Sequence, residues 1–352
     1  MRNAMNIPRK LHLRAGDFVV VRSKEEIFAT LDPNGAVDSL PFMPEMLQYC
    51  GRRFKVHKKA DKTCDTITGK HESRRMLDTV HLEDVRCGGE AHGGCDALCL
   101  IFWKEAWLKR VEEDAEASEK SIDRGENTDT NGASPSETSL VSEATLRRST
   151  RAESQPDDSR EEVYCCQATE LLKASQPMAW WDIRQYAREI FSRNVRVKDA
   201  VRVLFVAVLN FFHGKVRGWR RYPMMDAHLM TDNSGDISAC LNLQPGESVQ
   251  IKATNDILQT LNGRQRNRGL YFDKEMVKFC GRTVKVKKRV HKIIDDKSGR
   301  MIVMKNDCLI LEGVSCCGEF SEKRLLCPRG IAPFWREIWL KRANAKMEQR
   351  DS

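Results

Sequence analysis

The chain has 352 residues, with 59 Lys and Arg against 50 Asp and Glu, a formal net charge of +9 and 13 cysteines. That length suits two or three domains with cores of their own. The most apolar run, Val201 to Phe212, falls short of the roughly 20 residues that cross a bilayer, so a membrane-spanning helix is not expected.

Met1 to Arg14 is basic with no apolar run behind it. Residues 1–15 therefore read as a tail without a secretory signal, and the cysteines as reduced thiols of a cytoplasmic protein, with metal binding as their competing use. Asp17 to Arg22 then predicts a strand, Lys24 to Leu31 a short helix, and Pro44 to Tyr49 a helical turn that stops at Gly51, as helix C-termini tend to. Arg53 to Lys59 alternates with period two and predicts a strand, Asp78 to Val85 another, and Trp103 to Val111 closes a unit spanning 16–111. Residues 112–162 are polar and nearly free of aromatics and read as a disordered linker. Between 111 and 160 there are 13 acids and 6 bases, which leaves 53 bases against 37 acids elsewhere. Such an excess favours an anionic partner, although a solubilising surface has the same composition.

Residues 163–244 read as a helical connecting segment. Ala168 to Ala174 has helical character, and Trp180 to Phe191 has helical apolar spacing. Arg193, Arg196, Lys198 and Arg202 flank Val201 to Phe212 on one side, and Lys215, Arg217, Arg220 and Arg221 on the other. The expected place of this helix is between the two folded units, buried; the alternative is a helix lying in a membrane interface. Residues 223–244 read as a loop, 245–343 as a second folded unit, and 344–352 as a tail.

The second unit repeats the first. Gly16 to Lys58 aligns with Gly246 to Lys288 at a constant shift of 230, so that Phe42, Glu45 and Met46 meet Phe272, Glu275 and Met276. Tyr49-Cys50-Gly51-Arg52 meets Phe279-Cys280-Gly281-Arg282. After an indel the shift is 229, with Cys87 on Cys316, and it ends at 232, where Trp103 to Arg110 lies on Trp335 to Arg342. Self-similarity of this kind marks a duplicated folding unit. Short strands with small helical insertions give a mainly β fold class and suggest two tandem small barrels.

A strand of the form Gly-Asp-x-Val-x-Val-Arg (Gly16 to Arg22) precedes Met46-x-x-Tyr49-Cys50-Gly51-Arg52-x-Phe54-x-Val56 and a closing Trp107-Leu-Lys-Arg110. This order resembles the SH3-like barrel of the nitrile hydratase beta subunit and its accessory relatives, over Gly16–Val56 and Gly246–Val286. The resemblance implies an SH3-like barrel for each copy. The alpha-subunit metal signature of that enzyme is missing from this chain, so no hydration activity is implied. The tandem arrangement with these cysteines also resembles a group of bacterial two-repeat proteins, a likeness that implies no activity.

In the first copy, Cys64, His81, Cys87, His92, Cys95 and Cys99 carry metal-ligating groups, and Gly88, Gly89, Gly93 and Gly94 make the intervening loop supple. Zinc takes four N or S ligands; Cys64, Cys87, Cys95 and Cys99 can supply them, with His81 or His92 as substitutes. A rearranged set in the second copy is Cys308, Cys316, Cys317 and Cys327. Buried free thiols are the competing reading, and the preferred one for Cys50 and Cys280. Lys55, Lys58 and Lys59 meet Lys285, Lys288 and Arg289 in the repeat, with Lys287 opposite His57. These cations form one basic ribbon on each copy, for phosphate contacts or for protection of an edge strand. No catalytic residue is assigned. The leading expectation is a non-enzymatic adaptor or accessory protein with a structural zinc, binding a protein or anionic partner and touching a membrane through Val201 to Phe212. The alternatives are a nucleic-acid-binding protein using both ribbons, and a thiol- or metal-dependent enzyme centred on Cys87, Cys95 and Cys99, with His81 or His92 as base.

Overall fold

The computed structural model describes residues 10–70, 72–111, 141–152, 162–213, 222–230 and 234–343. In the first copy, strand Phe18–Val21 lies between Arg53–Lys59 and Leu108–Val111, and the ladder continues from Arg53–Lys59 through Thr79–Leu82 to Trp103–Lys104. In the second, Ser248–Ile251 lies between Thr283–Arg289 and Leu340–Arg342, with Leu309–Leu311 beyond. An isolated bridge from Leu309 to Trp335 replaces the last edge strand there. The registers coincide at the shift read from the sequence. Phe18 pairs with Lys55 as Ser248 pairs with Lys285, and Val56 with Leu82 as Val286 with Leu311. Both sheets are open among the described residues, because no ladder joins Trp103–Lys104 to Leu108–Val111. The architecture is thus mainly small antiparallel sheets with short helices.

The cores repeat as closely as the ladders. Trp103, Trp107, Trp335 and Trp339 are fully buried. Phe42 stands edge-on to Trp107 with ring centroids 5.2 Å apart, and Phe272 to Trp339 at 5.3 Å; aromatic quadrupoles favour such edge-to-face pairs. A buried carboxylate closes each unit at its entry. Glu105 accepts hydrogen bonds from the backbone N–H groups of Leu11, His12 and Leu13, and Glu337 from those of Leu241, Asn242 and Leu243. His12 and Asn242 take φ of 51° and 48°, which turns three consecutive N–H groups toward one anion.

Two expectations need correction. The stretch read as a disordered linker contains the helix Glu143–Ser149, while its residues 112–140 and 153–161 lie outside the described part. Val141 and Leu146 bury themselves in the first core. Leu146 passes so close to Gly35 that a Cβ there would stand 2.8 Å from its Cδ2. Two apolar side chains landing on an existing core suffice to order a segment whose composition alone favours disorder. The connecting segment is also less helical than its periodicity suggests: Ala168 to Ala174 forms hydrogen-bonded turns, and helices cover Arg184–Phe191 and Val197–Phe212.

A hairpin in each copy occupies the indel, Lys62–Cys64 with Ser73–Arg75 and Lys292–Ile294 with Met301–Val303. Each reaches over the other copy. Lys62 donates from its buried Nζ to the Leu325 carbonyl, and Arg329 donates to the Cys64 carbonyl at 2.8 Å. Reciprocally, the Asp96 N–H donates to the Lys292 carbonyl at 2.8 Å, and its carboxylate accepts from the His291 N–H. The two copies therefore clasp one another in the mutual manner of an isologous pair.

Candidate functional site

Between the clasped copies lies a cavity of about 430 Å³. Cys87, His92, Cys95, Cys99 and Cys166 line it from the first side, and Tyr271, Glu275, Cys316, Arg324 and Arg329 from the second. Its wall is built by the loop after each third long strand, and each loop is held by a buried glutamate from the preceding 3-10 turn. Glu45, on Pro44–Tyr49, accepts from the Ala91 N–H at 2.9 Å and pairs its Oε1 with His92 Nδ1 at 2.7 Å. Glu275, on Lys274–Phe279, accepts from the Phe320 N–H at 2.8 Å and from the Ser321 hydroxyl at 2.9 Å through the same oxygen. Ala91 aligns with Phe320 and His92 with Ser321 at the shift of 229, so the brace is a property of the fold.

The remaining oxygens differ. Glu275 Oε2 accepts from the Glu319 N–H at 2.9 Å and faces the Cys317 thiol at 3.4 Å, whereas Glu45 Oε2 is buried with no hydrogen-bond partner. His92 Nε2 sits 3.0 Å from the Cys165 carbonyl. A carbonyl only accepts, so this nitrogen carries a proton and Nδ1 is the one presented to Glu45. Burial works to raise the Glu45 carboxyl, but the hydrogen bond and charge of His92 outweigh it and hold the group below the usual carboxylate range. Cys87 completes the cluster. Burial pushes its thiol well up. The ligand atoms of Glu45, Cys87 and His92 all lie within 4.8 Å of one another.

The four-cysteine zinc set of the first copy is not assembled. Among the described residues, Glu45, Cys87 and His92 form the one group of three or more metal-ligating side chains gathered this closely. Cys64 sits on the clasping hairpin and meets Cys327 of the second copy; a hydrogen bond between the thiols, with Arg329 and Arg324 nearby, holds Cys64 low and Cys327 high. Cys95 accepts from the Ile294 N–H at 3.4 Å, and Cys99 is exposed and lines the cavity. His81 is fully buried with Nδ1 against the Ile101 carbonyl at 2.9 Å. Cys308, expected beside Cys316 and Cys327, packs instead with Val290, Ile310 and Ala332. The hairpins divide the cysteines between the two sides of the clasp, which spacing along the chain cannot reveal. All thirteen thiols are free, and Cys50 and Cys280 are half-buried. Glu45 and Glu275 were visible in the sequence as a repeated acid inside an apolar turn. That was the available signal for their role.

Comparison with family models, with curated proteins and with solved structures finds no match for this chain.

The basic ribbons are interrupted. Both long strands slip register between Val56 and Lys58 and between Val286 and Lys288, and a bulge breaks the alternation that would keep every cation on one face. Lys59 turns inward to Glu105 at 3.4 Å and Arg289 to Glu337 at 2.7 Å. Lys288 pairs with Asp96 at 2.7 Å and Lys55 with Glu83 at 3.8 Å. Lys55, Lys285 and Lys287 are exposed, and Lys58 is half-buried.

The helix Val197–Phe212 is not buried between the copies. Ala200 and Val203 pack on Leu325 and Leu326 of the second copy. The preceding helix is tied to the first by Asn194, which accepts from the Lys59 N–H and donates to its carbonyl. The outward face carries Val197, Val201, Phe205, Val208 and Phe212, spaced by four, four, three and four. Their exposures run from 40 to 61%; Phe211 on the same helix is 59% exposed and Phe191, which ends the preceding helix, 74%. Exposed Lys198 and Arg202 lie next to the stripe on the same helix and exposed Arg193 and Arg196 lead into it, with Arg202 also paired to Glu319 at 3.0 Å. The cations from Lys215 to Arg221 lie outside the described residues. Among the described residues, no helix is long and apolar enough to cross a membrane.

Proposed function

We propose that this protein is a non-enzymatic accessory protein that docks on an anionic membrane surface through the outer face of Val197–Phe212. The observation that carries this reading is the exposed apolar stripe of that helix. Interfacial helices combine such a stripe with a cationic border, and the arginines and lysine around this one supply the border. The inner face of the helix packs on the second copy and the segment before it is tied to the first, so the stripe is presented on an anchored base. We propose on the same footing that each copy is an SH3-like unit. The support is the shared strand–turn–glycine–strand order and the same flanking of the first strand by the second and the closing strand in each ladder.

The test is flotation of the full chain with vesicles of phosphatidylserine and phosphatidylcholine. Binding is expected to anionic vesicles, to weaken with salt, and to be poor to pure phosphatidylcholine. Burying a phenylalanine is worth about 1.5 kcal/mol or more, so changing Phe205 and Phe211 together to Ser lowers partitioning roughly a hundredfold. Lys285→Glu with Lys287→Glu leaves it nearly unchanged. Salt-sensitive binding of nucleic acid that is lost in that lysine pair, with no vesicle binding by the parent chain, overturns the reading in favour of the ribbons.

A further inference from the structure

The geometry points to a zinc-class metal site in the first copy, formed by the Glu45 carboxylate, the Cys87 thiolate and His92 Nδ1. It stands apart from the membrane reading and shares no residue with it. One oxygen, one sulfur and one nitrogen donor suit a borderline ion such as zinc better than magnesium or calcium, which take oxygen ligands. The donors lie within 4.8 Å of one another; bonds of about 2.0–2.3 Å set tetrahedral neighbours roughly 3.3–3.7 Å apart, so the set contracts where it is widest and the Glu45 Oε1–His92 Nδ1 pair opens from its 2.7 Å. Cys87 and His92 both line the inter-copy cavity, so the fourth coordination position opens there.

Three observations separate this cluster from a simple structural brace. First, the second copy is a natural control. It holds its loop with Glu275 and Ser321, and both Glu275 oxygens are satisfied. The same task in the first copy therefore needs no histidine. Second, Glu45 Oε2 is left buried without a hydrogen-bond partner, in a residue only 6% exposed. An unsatisfied carboxylate oxygen is costly, and a cation bound to it removes that cost. Third, the Nε2–H of His92 is directed at the Cys165 carbonyl, the outer contact by which metal-ligating histidines are oriented. On binding, the proton between Glu45 and His92 and the Cys87 thiol proton leave to solvent, so that all three donors present lone pairs to the ion.

The test is metal analysis of the full chain after exposure to zinc and extensive dialysis. One zinc per chain is expected. His92→Ser, which gives the first copy the second copy's brace, should keep the fold by circular dichroism and weaken zinc by more than the 10–100-fold that losing an outer contact costs. Cys87→Ser should do the same, and Ser321→Ala should leave zinc unchanged. Cobalt substitution of the parent chain provides a readout that does not depend on variants folding, because a Cys87 ligand gives a thiolate-to-cobalt charge-transfer band. Retention of zinc at parental affinity by His92→Ser, or cobalt bound without that band, or a parent chain that takes up no zinc, overturns the assignment.

Discussion

Glu45 and Glu275 stand at equivalent places and hold equivalent loops, yet one holds a histidine and the other a serine. The difference shows how a duplicated unit diverges. The inner ladder, the aromatic pair and the entry carboxylate are the same in both copies, because each supports a whole core. Several of the changes fall where side chains face the other copy. Cys64 meets Cys327 across the clasp, while its counterpart Ile294 meets Cys95 through its backbone N–H. His81 fills the place of Ile310. The first copy has Cys64, His81 and His92 where the second has Ile294, Ile310 and Ser321, while Cys308 stands at the place of Thr79.

The sharpest break of this comparison is at the loop glycines. Gly89 and Gly318 both have positive φ, 76° and 64°. A Cβ on Gly89 would stand 2.1 Å from the Cys95 carbonyl oxygen, and one on Gly318 2.8 Å from the Cys327 nitrogen. Gly51 and Gly281 also have positive φ but meet nothing within 4 Å. Gly89→Ala should therefore cost roughly 3–5 kcal/mol, from left-handed strain and backbone overlap together, and Gly318→Ala somewhat less. Gly51→Ala should cost about 1–2 kcal/mol. Denaturant unfolding of the three variants checks the ranking, and equal losses at Gly89 and Gly51 would contradict the packing described.

Acid should act on the first copy through His81. Burial lowers its folded pKa from the usual 6.5 to about 3, with the nearby charges of His57, Arg329 and Lys58 adding to the effect. Between these values the unfolded chain takes up a proton that the folded chain refuses. The contribution of neutral His81 is thus complete above pH 6.5 and is lost as pH falls toward 3, amounting to about 2 kcal/mol by pH 5. His81→Ile, which copies Ile310, should remove this slope. Glu189, raised to about 7 by burial, has the opposite dependence, so the quantity to measure is the stability difference between parent and variant at pH 7.5 and pH 5. A difference that does not change between those two values would count against a neutral buried histidine.

The smallest effect concerns two tryptophans in equivalent places. Trp339 donates its indole N–H to the Thr260 hydroxyl at 2.9 Å, while the Trp107 indole nitrogen is buried without a partner. Phenylalanine at either site loses similar packing, but only Trp339→Phe also loses a hydrogen bond. It should be the more destabilising by about 1 kcal/mol. Thermal or chemical unfolding of the pair reads this difference directly, and Trp107→Phe proving the costlier would reverse the argument.

The repeat, its offsets and the three main strands of each copy were legible in the chain, because period-two alternation and a glycine after a helical turn are local signals; the clasping hairpins were not. Arg53–Lys59, Thr283–Arg289 and the turn Pro44–Tyr49 lie where those signals put them. The cysteine chemistry was not legible. Which thiols share a neighbourhood depends on two hairpins that cross between the copies, and their contacts join residues as far apart as Cys64 and Arg329. The helix Val197–Phe212 was legible as apolar and cation-flanked, but its outward orientation depends on Leu325 and Leu326 packing on its other side and on Asn194 fixing the segment before it. Local hydrophobic pattern decides which segments become strands and helices. Only the packing of the two copies against each other decides which side chains meet in the cavity and which face remains exposed to solvent.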